Sequence, residues 1–184
     1  MKRFLVLSLV LTLSLWFIGC SGRPVEQEQR TKTAMEQAKA EYASQFSPED
    51  WRAAEQVFAE ASASLEKESW GSAQTLLLKA EGRYKKARDT AKAKKEDLIR
   101  EVTSNRKAAE LRYEKLKEKI GKTKLTAAKK QDLDEACKEI EGNLAKIDSQ
   151  LNTADFSQAK NNAGSTLRLV WEAEKMLEGA GAPK

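Results

Sequence analysis

The chain has no histidine, few glycines (9) and prolines (3), and no closely spaced pair of cysteines. Without histidine there is no Ser-His-Asp type triad, no imidazole general base and none of the commonest zinc ligand sets. No glycine-rich phosphate loop and no metalloprotease helix is present either. Acidic clusters such as Asp132, Asp134 and Glu135 could supply a carboxylate pair. They fall at an expected helix start, where the helix dipole and solvation account for them. The composition therefore argues against an enzyme, and it suggests no catalytic residue, metal or cofactor. Charged residues make up 33% of the chain, which together with scarce glycine and proline suits long solvated helices.

The stretch around which the rest is organised runs from about Ser69 to about Lys119. Ala73, Leu77, Ala80, Tyr84, Ala87, Ala91, Leu98, Val102, Ala109, Leu116 and Ile120 recur at gaps that keep one face of an α-helix. No proline lies between Pro48 and Pro183 to break it, although Gly82 weakens the middle. A single helix of this span would be roughly 75 Å long. Elements before and after it could pack only on its two ends, so an elongated molecule is expected.

Residues 1–19 read as a secretion signal. Lys2 and Arg3 supply the positive start, and Phe4 to Ile18 is apolar apart from Ser8, Thr12 and Ser14. That run is short for a permanent spanning helix, which needs about 20 residues. Phe17-Ile18-Gly19-Cys20 resembles the lipobox of bacterial lipoproteins, with Phe17 and Ile18 departing from the commonest residues there. The resemblance implies that Cys20 is lipidated on sulfur and becomes an acylated N-terminus. The alternative is an ordinary cleaved signal with an incidental cysteine. Ser21 is similar to the residue that lets such lipoproteins reach the outer membrane, which implies an envelope protein anchored there and facing the periplasm. With Cys20 committed to lipid, Cys137 has no partner, and its place on the Leu133, Cys137, Ile140, Leu144 face favours a buried structural thiol.

The expected organisation is all-α: helical hairpins joined by one long, coiled-coil-like central helix. Residues 20–30 form a tether, 31–90 an N-terminal hairpin region, 91–122 a shaft, 123–178 a C-terminal hairpin and 179–184 a disordered tail. A first helix is predicted from about Thr31 to Phe46, with Ala34, Ala38 and Tyr42 inward. Ser47-Pro48-Glu49-Asp50 starts a second, to about Lys67, that buries Trp51, Ala54, Phe58, Ala61 and Leu65. The long helix should stop near Gly121. Thr126 starts a fourth helix, and Asp155-Phe156-Ser157-Gln158 caps a fifth. The two hairpins share a pattern at an offset of 86: Leu65 with Leu151, Trp70 with Phe156, Ala73 with Ala159, Ala87 with Ala173. The series Val57, Ala61, Leu65, Trp70, Ala73, Leu77, Ala80 resembles a tetratricopeptide-type hairpin over about 35 residues, without that family's full motif, proline or period. The hairpin is also similar to bacterial lipoprotein domains of unknown function, which implies fold and envelope location but no activity.

Two surfaces are candidates for binding. From Lys79 to Lys130 there are 19 Lys and Arg against 8 Asp and Glu, a basic shaft between acidic ends. It is either a solvated helix or a binder of anionic envelope polymer or lipid headgroups through Lys85, Lys86, Lys92, Lys94 and Lys95. Nucleic acid is excluded by the compartment and by the lack of stacking aromatics. On the last helix, Leu169 and Met176 flank the inward stripe on one side and Trp171 on the other. That arc is wider than one hairpin partner needs, so the helix is either sandwiched in its own domain or offers a site to a protein partner. The leading expectation is a lipid-anchored scaffold or adaptor acting through protein contacts at the hairpins.

Overall fold

The computed structural model describes residues 22–179; the signal segment, Cys20 and the tail beyond Gly179 lie outside the described residues. Six helices follow one another, with no strand among the described residues: α1 (Val25–Ala40), α2 (Ala43–Phe46), α3 (Pro48–Glu66), α4 (Trp70–Lys122), α5 (Ala127–Asn152) and α6 (Phe156–Glu178). The long central helix is real: α4 is 53 residues and passes through Gly82 and Gly121 without a break. The chain divides into two compact units, the first ending at Ala93 and the second starting at Lys94, so α4 contributes its first half to one and its second half to the other.

In the first unit α1 runs alongside α4 in the same direction, with Gln27 meeting Glu81 and Gln37 meeting Arg88. The short turn after Glu66 reverses α3 against α4, and Asp50 meets Lys86. Their core is alanine-rich: Ala34, Ala38, Ala43, Ala54, Ala80, Ala87 and Ala91 are all buried. Small side chains let helix axes approach closely, and the space left over is filled by a few large ones. Tyr84 does this, its ring 5.3 Å from Trp51 and 6.3 Å from Phe58. Burial pushes the Tyr84 hydroxyl up to about 12.

The second unit repeats this plan with larger residues. α5 runs against α4, Tyr113 meeting Glu141 and Arg106 meeting Asp148. α6 runs with α4, Lys160 meeting Glu101 and Arg112 meeting Glu174. Tyr113, Leu116, Leu133, Ile140, Val170, Ala173 and Leu177 form one core cluster; Val102, Ile147, Ala159 and Ala163 form another. Residues 91–122 are therefore no bare shaft, because α5 and α6 cover the stripe through Val102, Ala109 and Leu116.

The offset of 86 extends to the backbone. Ala73, Leu77, Ala80, Tyr84, Ala87 and Ala91 are buried, and so are Ala159, Ala163, Thr166, Val170, Ala173 and Leu177. Glu68 and Ala154 close the two hairpins with positive φ, 55° and 58°. The amide of Ser69 bonds the carbonyl of Ser64 at 2.9 Å, and that of Asp155 bonds the carbonyl of Gln150 at 2.8 Å.

Several local expectations are corrected. α1 begins at Val25, inside the stretch read as a tether, because Gln27 and Thr31 are buried through polar contacts. The Gln27 amide donates to Glu81 at 2.6 Å, and the Thr31 hydroxyl lies 2.8 Å from the Gln27 carbonyl and 3.1 Å from that of Leu77. The helix ends at Ala40, and Tyr42, expected inward, turns left-handed (φ 58°) and stays partly exposed. Ser47 precedes Pro48 as expected, yet its hydroxyl donates to the Asp50 carboxylate at 2.9 Å and caps no amide. In α3 it is Val57 that is fully inward, with Phe58 and Leu65 half-buried.

Candidate interaction surfaces

α6 forms because Asp155 accepts the Gln158 amide at 3.3 Å and because its inward stripe is uninterrupted from Phe156 to Leu177. The wide apolar arc divides in the folded chain. Leu169 packs against the core formed with Tyr113, Leu116 and Ile140 and is partly buried there. Trp171 remains 50% exposed and Met176 40% exposed. The Lys175 ammonium stands 5.7 Å from the Trp171 ring centre, one helical turn on. Met176 borders a groove with Lys129, Asp132 and Leu133 of α5. Leu78, Leu111 and Val25 are also exposed, at 52%, 57% and 63%. They fall off the helical stripes, which is the only sign of them in the sequence.

The five lysines of the expected shaft site do not share a face. At about 100° per residue, Lys85 and Lys92 lie to one side of the buried stripe, and Lys86 and Lys94 to the other. Lys95 sits at the edge of the stripe, partly buried. Lys85 pairs with Glu81, and Lys86 reaches Asp50 of α3 at 2.7 Å. The acidic stretches thus do not stay apart from α4. Asp148 of α5 lies 2.8 Å from Arg106, Glu174 of α6 pairs with Arg112, and Lys160 of α6 pairs with Glu101 at 3.0 Å. Charge segregated along the sequence is mixed in space wherever α3, α5 or α6 lies beside α4.

Cys137 lies at the edge of the second core, half-buried, and burial pushes its thiol up. Tyr113 beside it is buried, and its hydroxyl donates to Glu141 at 2.7 Å; burial, then that bond, raises its ionisation above the usual tyrosine range. The Lys117 ammonium sits 4.7 Å from the same ring. Asp132, Asp134 and Glu135 are exposed on α5, with Glu135 accepting from Gln131 at 3.1 Å. Among the described residues no group of three or more Cys, Asp or Glu side chains is placed to hold a metal ion, and no helix is long and apolar enough to cross a membrane. Cys20 lies outside the described residues. No protein-family model, curated protein or solved structure matches the chain.

Proposed function

We propose that the protein is a lipid-anchored component of the bacterial envelope, held through Cys20, that works as a non-catalytic scaffold or adaptor with a protein partner on α6. The address rests on the charged start, the apolar run and Gly19-Cys20. The binding role rests on Trp171. α6 completes its buried stripe without this residue, yet carries a half-exposed indole there and Met176 five residues on. Exposed tryptophan beside a cation is the kind of group that anchors protein interfaces, because burying it gains a large apolar area and leaves its N–H free to bond.

A photo-crosslinking amino acid at position 171 tests the reading in intact cells, against the same residue at Glu139, which is exposed on α5. A discrete adduct at 171 that is missing at 139 is expected. Adducts of equal yield at both positions, or none at 171, would sink the docking surface.

A further inference from the structure

The second unit carries positive charge at one end that its own packing does not use. From Lys119 to Lys130 the chain has five lysines and no Asp or Glu. Lys122 pairs with Glu118 one turn back. Lys119, Lys124, Lys129 and Lys130 have no acidic partner among the described residues. Glu174 and Glu178 border a groove with Lys119 and Lys122, but they are engaged by Arg112 and Lys175.

Helix electrostatics explains only part of this cluster. Lys119 and Lys122 lie in the last turn of α4, where the dipole favours cations. Lys129 and Lys130 lie in the first turn of α5, where it disfavours them, and that turn holds no acid. Leu125, the apolar residue of the connection, packs inward on the core, so the end offers charge without an inserting side chain. Tyr113 is buried and bonded to Glu141, leaving it unavailable to stack on a base.

We propose that Lys119, Lys124, Lys129 and Lys130 form a contact for an anionic phospholipid surface, their ammonium groups meeting headgroup phosphates. The lysines sit on and beside the connection between two helix ends, Lys119, Lys124 and Lys130 exposed and Lys129 partly buried, and headgroup phosphates can meet several of them at once. The contact does not include Trp171, although Lys129 also borders the groove at Met176, and binding to vesicles is read separately from the crosslink at 171.

The test is co-sedimentation of the full chain with phosphatidylcholine vesicles, with and without phosphatidylglycerol. Insertion by the N-terminal segment is common to every variant and cancels in the comparison. Each lysine near an anionic bilayer contributes about fivefold in partitioning, so replacing these four with Gln should weaken the phosphatidylglycerol-dependent part by roughly several hundredfold. The wild-type preference should fade as salt rises. Lys→Arg at the same four positions should retain binding, and Lys→Gln at Lys85, Lys86, Lys92 and Lys94 should leave most of it. Equal binding of wild type and the four-Gln variant overturns the proposal, as does an equal loss from the Lys85-to-Lys94 set. Indifference to phosphatidylglycerol with salt-sensitive retention on heparin would overturn it in favour of a linear polyanion.

Discussion

Replacing Ala154 with glycine should stabilise the protein, against the usual effect of glycine in a helical chain. Ala154 joins α5 to α6 with φ 58°. A side chain in the left-handed region costs about 1–2 kcal/mol, a cost that glycine escapes. Glycine's greater freedom in the unfolded chain takes back about 0.5–1 kcal/mol. The net gain is between about 0 and 1.5 kcal/mol, with about 0.7 kcal/mol at the centre. The bonds that close the turn, Ala154 amide to Leu151 carbonyl at 3.2 Å and Asp155 amide to Gln150 carbonyl at 2.8 Å, are backbone bonds and survive the change. Ala145 is the control: it is exposed in the middle of α5, and Ala145→Gly should cost about 1 kcal/mol. The same chemical change is thus expected to have opposite signs nine residues apart. Urea unfolding followed by far-UV circular dichroism measures both. Glu68→Gly, in the matching turn with φ 55°, should share the stabilising sign. If Ala154→Gly loses as much stability as Ala145→Gly, the chain at residue 154 is ordinary helix and the hairpin geometry is wrong.

Other expectations follow from burial. Ile140 is fully buried, so Ile140→Ala should cost about 2–5 kcal/mol, while Trp171→Ala, at a half-exposed site, should change stability by less than about 0.5 kcal/mol in the same unfolding assay. Tyr84 keeps its proton up to about pH 12 when folded, against 10.0 for a tyrosine in water. Between those values the unfolded chain binds fewer protons than the folded one. The Tyr84 contribution is therefore complete below pH 10 and is lost as pH rises through about 12, and Tyr84→Phe should reduce that alkaline loss. The raised Cys137 thiol should alkylate slowly at neutral pH in the folded chain and quickly in urea, as peptide mass spectrometry would show; equal rates would contradict its half-burial.

The long helix was legible because its buried residues repeat at helical spacing and nothing in α4 breaks it; Gly82 and Gly121, both exposed, carry no structural demand. The caps at Thr126 and Asp155 were legible for a similar reason, since each side chain accepts the amide three residues on. The start of α1 was not. Gln27 and Thr31 are polar residues held inside by specific partners, and hydrophobic periodicity does not register such contacts. The left-handed residues Tyr42, Glu68 and Ala154 carry none of the glycine or asparagine signal that marks that conformation. Counting charge along the chain identified the basic run but misplaced its emphasis. Which lysines find acids depends on which helices lie beside α4: Lys86 does, whereas Lys92, Lys94, Lys107 and Lys115 along the helix, like Lys119, Lys124, Lys129 and Lys130 around its end, have no acidic partner among the described residues.

Lipid anchoring at Cys20 is tested most directly by the intact mass of the protein purified from the envelope of its source cell. The mature chain should begin at Cys20 and exceed its polypeptide mass by a lipid on the sulfur and an acyl group on the new amino terminus. Cys20→Ser should accumulate as unprocessed precursor without lipid label. A mature chain that begins elsewhere, or one whose Cys20 thiol is free to alkylate, contradicts the anchor and with it the proposed place of the protein in the cell.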